Sequence, residues 1–367
     1  MLKRVSIQNF KSLKDITLDL QKVNLLIGPN NSGKTNFLKA LEYMVENDAD
    51  HEPNRKRIAY KHNSDSLIDI QFKFEPRDRD SDFVVYDYYV LECEIKSNGS
   101  VTKWVWNQNL KQSNPNLKSF NAHDKFDIHQ RIGSTRIYKP DPSKLDKPGP
   151  VGRGDDLIAA DASNLIAFFD RIRDEYPASF ALIKSDLAKC VPEFTEINFQ
   201  NVESTEELVK QFGDKTFKRI GLTDGRQKTI YWADELSEGT LYFIALLCII
   251  NQPNPPKLLL LEEPEKGIHP RRIYEVIQFI LGLVDDKDIQ VIMTTHSPVV
   301  VDMFKDMPES VFIFDKDEEG ATHVKNLQKD IIEPETAESE KLGFDPPRYL
   351  DGLGEAWTVG FLGGIPR

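Results

Sequence analysis

Apolar and polar positions change rhythm several times along the chain, and each change predicts an element. Residues 4–8 and 16–20 alternate at period two, which predicts a β-hairpin, and Val23–Ile27 is an almost unbroken apolar run that predicts a buried strand entering a glycine-rich turn. Phe37, Leu38, Leu41 and Val45 recur at helical spacing, so a helix is expected from Gly33 to about Val45. Three runs rich in β-branched and aromatic residues, 67–72, 83–95 and 101–106, predict an antiparallel sheet with a turn at 97–100. The pattern then dissolves. Residues 107–154 are dense in Asn, Lys, Pro and Gly, and the proline pairs in Lys139-Pro140-Asp141-Pro142 and Lys147-Pro148-Gly149-Pro150 argue against regular structure, so a long irregular insertion is expected. Helical spacing resumes over 155–190 and is interrupted at Pro177, as in a helical hairpin or lid. Finally, residues 229–232, 237–250, 258–261, 271–284 and 289–294 alternate strand, helix, strand, helix, strand, the pattern of βαβ crossovers over a parallel sheet.

Composition narrows the class. With 40% hydrophobic and 29% charged residues, the 367-residue chain reads as a soluble globular protein. Its longest apolar run, 241–250, is well short of the ~20 residues of a membrane span. The N-terminus has no apolar core of a secretion signal, so a cytoplasmic protein without a membrane partner is expected. Three scattered cysteines read as buried small hydrophobes. The net charge of −12 argues against a protein that coats nucleic acid over its whole surface. Residues 103–153 nevertheless carry ten Lys/Arg against four Asp/Glu, and 302–345 carry thirteen acids against five bases, so one face can still be basic. The expected organisation is 1–106, 107–214 as an insertion, 215–325, and a tail over 326–367.

The chemistry is concentrated in four places. Gly28-Pro29-Asn30-Asn31-Ser32-Gly33-Lys34-Thr35 satisfies the G-x-x-x-x-G-K-[ST] spacing between a strand and a helix, a phosphate loop. Backbone amides at such a turn surround phosphates, Lys34 adds positive charge, and the Thr35 hydroxyl is placed to bind Mg²⁺. The apolar run 258–261 ends in Glu262 and Glu263, where Glu262 is expected in the magnesium shell and Glu263 beside an attacking water. Neighbouring residues of a strand point to opposite sides, which predicts different tasks for the two acids. His296 follows the apolar strand 289–293 and is expected at the same sheet edge, where it can hold the water in line. Ser237 and Gly239, in Leu236-Ser237-Glu238-Gly239-Thr240, open an apolar helix whose amides and positive dipole end suit an anion. A serine N-cap on a core helix is the plain alternative, although a glycine in that first turn costs ~0.5–1 kcal/mol relative to alanine.

These motifs, in this order, resemble the ABC-type ATPase heads of the SMC, RecF and OLD (overcoming lysogenization defect) group. Asn9-Phe10-Lys11-Ser12 is similar to that group's opening strand, Glu262-Glu263-Pro264-Glu265-Lys266-Gly267-Ile268-His269-Pro270 to its post-strand segment, and Asp161-Ala162-Ser163-Asn164-Leu165 to a stretch of its stand-alone ATPases. The resemblance implies an α/β fold: a P-loop ABC-type ATPase head with a parallel core sheet, an N-terminal antiparallel β subdomain and a helical and irregular insertion. It implies ATP and Mg²⁺ as cofactors, and a homodimer in which Ser237 and Gly239 of one chain serve the nucleotide of the other. It also implies a defence or toxin-type ATPase working with a separately encoded effector. A RecF-like repair ATPase that binds DNA through the basic insertion, and an ATP-bound scaffold with little hydrolysis of its own, are the alternatives. Two features depart from the group: a Q-loop glutamine is not identifiable, and too few residues follow the last head helix for the C-terminal Toprim nuclease of OLD enzymes. Asp315-Lys316-Asp317 mimics a metal-binding pair, but a terminal hairpin turning at Glu318-Glu319-Gly320 is the stronger expectation.

Overall fold

The computed structural model describes residues 1–45, 58–62, 67–74, 89–95, 101–107, 132, 135–152 and 156–364. Its chain forms two compact units, one made of residues 1–137, 257–263 and 284–367, the other of 138–256 and 264–283.

The first unit contains two sheets. In the antiparallel one the strands lie in the order Leu13–Asp19, Leu2–Phe10, Ile68–Phe74, Tyr89–Ile95, Val101–Asn107. Register places Val5 beside Leu18 and Phe72, and Ile7 beside Ile16 and Ile70, so every second residue shares one apolar face. That face joins Phe37, Leu38, Leu41 and Met44 of the helix Lys34–Val45 in one buried cluster. The second sheet has the order Thr322–Asn326, Val311–Lys316, Val23–Ile27, Gln290–Thr294, Leu258–Glu262, and ends at the two-residue strand Ile137–Tyr138. Four of these strands run parallel: Val311–Lys316, Val23–Ile27, Gln290–Thr294 and Leu258–Glu262. Val23–Ile27 is buried at every position, as a parallel strand covered on both faces must be. Gln290 ties the two sheets together: its amide nitrogen donates to the carbonyls of Leu2 and Gln21, and its oxygen accepts from the Leu2 amide.

The C-terminal segment packs on this unit. Leu353, Trp357 and Leu362 are buried, and the Gly354 amide donates to Asp302 Oδ1 at 2.7 Å. Trp357 Nε1 donates to the Gly364 carbonyl, and Gly364 lies against Gly28 and Ile313. The expected terminal hairpin is present, with Val311–Lys316 and Thr322–Asn326 paired antiparallel.

The second unit contains the helices Leu165–Glu175, Pro177–Cys190 and Glu238–Asn251, most of the helix Pro270–Lys287, and an antiparallel sheet. In that sheet Phe217–Asp224 pairs with Phe194–Val202, Ile230–Trp232 and Gly149–Pro150. Three expectations are corrected here. The strand near 229–232 does not belong to the parallel sheet. Asp224 Oδ1 accepts from the amides of Arg226 and Gln227, which turns the chain tightly into a hairpin, whereas parallel neighbours need a long crossover. Proline does not keep 139–150 irregular: Pro142 opens the short helix Pro142–Leu145 behind the N-cap Asp141, a position that needs no amide, and Gly149–Pro150 forms a short outer strand. Phe194–Val202 is a full strand inside what reads as an insertion, because its half-exposed residues carry almost no apolar alternation. The expected turn at 97–100, residues 83–88 and most of the basic stretch lie outside the described residues.

Candidate functional site

Parallel register brings three strand ends to one edge. Val23–Ile27 runs into Gly28, Leu258–Glu262 ends on the first acid, and Thr294, which is Glu262's partner across the ladder, precedes Thr295 and His296. This is the C-terminal edge, where open parallel sheets bind ligands.

The phosphate loop is shaped by backbone. Gly28, Asn31 and Gly33 all have positive φ (141°, 65° and 111°), which glycine and asparagine tolerate. A Cβ on Gly28 would meet the Phe314 carbonyl oxygen at 2.2 Å, and one on Gly33 would meet Thr322 Oγ1 at 2.2 Å, so both glycines are required by close approach. Lys34 is only 5% exposed, and its Nζ donates to the carbonyls of Gly28 (2.7 Å) and Pro29 (2.9 Å). Burial pulls its pKa down to about 8 against the opposing pull of Glu263 and Glu262.

The two carboxylates meet different partners. Thr35 Oγ1 donates to Glu262 Oε1 at 2.9 Å, whereas Glu263 Oε1 lies 3.6 Å from His296 Nε2. The strand stops at Glu262, and Glu263 takes a left-handed φ of 50°. A strained turn, rather than the pleat, therefore separates the two side chains. The Glu263 amide is held by the carbonyl and hydroxyl oxygens of buried Thr294, each at 3.2 Å.

The residues present fit Mg²⁺ and a nucleoside triphosphate. Ser32 Oγ is buried with no hydrogen-bond partner among the described residues, Lys34 is a buried cation whose ammonium donates to two loop carbonyls, and the glycines leave a cradle that side chains would fill. One carboxylate and one hydroxyl, Glu262 with Thr35, form the kind of sparse donor set that Mg²⁺ completes with phosphate and water.

Ser237 and Gly239 stand on the second unit. Ser237 is the N-cap of the helix Glu238–Asn251: its Oγ accepts from the Thr240 amide at 3.2 Å and lies 2.8 Å from Thr240 Oγ1. Ser237 and Glu238 are exposed at the helix start, and everything from Gly239 to Asn251 is buried. A Cβ at Gly239 would meet Arg272 at 3.5 Å, an ordinary contact, and the residue has no positive φ. The chain's own packing therefore does not demand glycine there.

Several contacts at the loop have no local sequence signal. Lys316 Nζ donates to Asn31 Oδ1, and Thr322 reaches Ser32 and Ser12, contacts that only folding brings together. The Asp315-Lys316-Asp317 triplet belongs to its hairpin: Asp317 caps the turn through the Ala321 amide and pairs with His323 at 2.9 Å. Asp161-Ala162-Ser163-Asn164 is likewise a structural turn, with Ala162 at a left-handed φ and Asn164 bonding Leu157 and Ala159. Asp161 also pairs with Lys144 at 2.6 Å.

A phosphate loop, an acid pair ending a parallel strand, and a histidine just past the neighbouring strand make up an ATPase head similar to those of the SMC and OLD proteins. The chain belongs to the family described as "AAA domain, putative AbiEii toxin, Type IV TA system", which matches residues 23–89 and 105–302. It is 21% identical to an OLD nuclease of Thermus scotoductus over 97% of this chain and 72% of that protein. It is 22% identical to an ATP/GTP phosphatase of Helicobacter pylori over 94% of this chain and 97% of that protein. Among solved structures, the SMC head domain from Thermotoga maritima has the same fold, with a TM-score of 0.50 at 14% identity over 89% of this chain and 98% of that one. No helix among the described residues is long and apolar enough to cross a membrane.

Proposed function

We propose that the chain is an ATP-hydrolysing dimeric switch, the ATPase component of a toxin or defence-type system whose effector is a separate chain. The observation that carries the catalytic part is the convergence of Lys34, the Thr35–Glu262 pair and the Glu263–His296 pair at one sheet edge. Bound Mg·ATP would supply the γ-phosphate and the cation that offsets its charge. The amides of Gly28, Asn30, Asn31 and Gly33, the Ser32 hydroxyl and the Lys34 ammonium would hold the phosphates, and Thr35 with Glu262 would hold the metal. Glu263 accepts the water's proton at Oε1, and His296 keeps that carboxylate and the water in line. Ser237 and Gly239 belong to the neighbouring chain's nucleotide, because their helix start is exposed and the chain's own packing leaves the glycine unexplained. The family description, which joins an AAA domain to a toxin system, supports an effector partner.

Turnover of Mg·ATP by the purified chain tests this reading. Glu263→Gln is expected to lower kcat by at least about 100-fold, the usual worth of a general base, with ATP binding retained. Equal turnover in the variant would remove Glu263 from its role. DNA contact is less supported: Lys144, one of the basic residues suited to it, is already committed to Asp161.

A further inference from the structure

We infer that Thr322, acting with Ser12, is a positioning residue that fixes one peptide of the phosphate loop. Thr322 is 2% exposed and begins the returning strand of the C-terminal hairpin, 290 residues beyond the loop it touches. Its Oγ1 lies 2.9 Å from the Ser32 carbonyl oxygen and 2.8 Å from Ser12 Oγ, and its amide donates to the Ser12 carbonyl at 2.9 Å. Asn36 Nδ2 in turn donates to Ser12 Oγ at 2.8 Å. A carbonyl only accepts and a hydroxyl has one proton: Thr322 Oγ1 faces two acceptors, the Ser32 carbonyl and Ser12 Oγ, and Ser12 Oγ also accepts from the Asn36 amide group. Thr322 and Ser12 together touch the loop at both ends, at Ser32, one residue before Gly33, and at Asn36, one after Thr35.

The consequence for nucleotide follows from peptide geometry. In a planar trans peptide the C=O and N–H point in opposite directions, so holding the Ser32 carbonyl against Thr322 turns the Gly33 amide away from it. In a loop of this kind that amide is one of the groups that surround phosphate. Thr322 also lies where any side chain at residue 33 would fall, so the same contact that fixes the peptide explains the glycine. A peptide free to rotate would present a carbonyl to phosphate in part of its population and weaken binding by the fraction lost. Ground state and transition state depend on that amide alike, so the loss falls on KM rather than on kcat.

The inference rests on the ATPase reading, and steady-state turnover of the full chain separates the two. Thr322→Val keeps the shape and removes the hydroxyl. It is expected to raise the KM for Mg·ATP by about tenfold, the scale of leaving one buried carbonyl unpaired, with kcat within about twofold of wild type. Thr322→Ser restores the donor and is expected to return KM to near the wild-type value, which a purely space-filling role for Thr322 would not produce. Melting temperature without nucleotide accompanies each variant, and Thr322→Ala compared with Thr322→Ser carries the test if Thr322→Val does not fold. Unchanged KM in Thr322→Val, or a fall in kcat alone, would overturn the inference. A wild-type chain with no saturable response to Mg·ATP contradicts the ATPase reading instead.

Discussion

At the scale of single residues, Lys34 is the most informative group. A lysine with a pKa of about 8 in the free chain is partly neutral at mildly alkaline pH, and phosphate oxygens beside it favour the charged form. ATP binding above pH 8 should therefore take up protons, and binding near pH 6.5, where Lys34 is already charged, should not. Calorimetric binding enthalpies in two buffers of different ionisation enthalpy read this directly, and no buffer dependence at pH 8.5 would contradict it. Gly239 gives a second test. Alanine fits beside Arg272 and suits a helix better by roughly 0.5–1 kcal/mol, so Gly239→Ala should melt at the same temperature or higher. Its ATP turnover should nevertheless fall if a neighbouring chain's nucleotide must approach that turn. The loop, Glu262, Glu263 and His296 were legible in the sequence because each sits in a short contiguous motif beside a clear strand. Thr294, Thr322 and Lys316 were not, because only tertiary structure brings them to the loop.

At the scale of elements, pattern worked where burial imposes it. Val23–Ile27 and Leu258–Glu262 are buried along almost their whole length, and both were visible as apolar runs. Phe194–Val202 is half exposed along its length and left no such trace. The turn at Glu263 was hidden for another reason: a left-handed glutamate has no propensity signature, and its strain is held by the Thr294 contacts. The C-terminal segment makes a prediction of its own. A Cβ on Gly354 would meet the Pro298 carbonyl oxygen at 2.3 Å, and the Gly354 amide already bonds Asp302. Gly354→Val should lower stability by about 1–3 kcal/mol, the usual cost of overpacking, and a thermal melt that does not move would show that the segment docks differently.

At the scale of the whole molecule, the two units hold different halves of the proposed chemistry. The phosphate loop, both acids and His296 belong to one, and Ser237 with Gly239 to the other. If the halves meet between chains, a mixed dimer of Lys34→Ala and Ser237→Arg subunits keeps one intact composite site, because both lesions fall in the other. Such mixtures should hydrolyse ATP although either variant alone does not, and inactivity of the mixture would contradict a site shared between chains. The measurement that tests the central claim most directly is the mass of Glu263→Gln by light scattering at saturating Mg·ATP. The account predicts a trapped dimer that reverts to monomer when nucleotide is removed. A strictly monomeric chain that nonetheless binds ATP would contradict it.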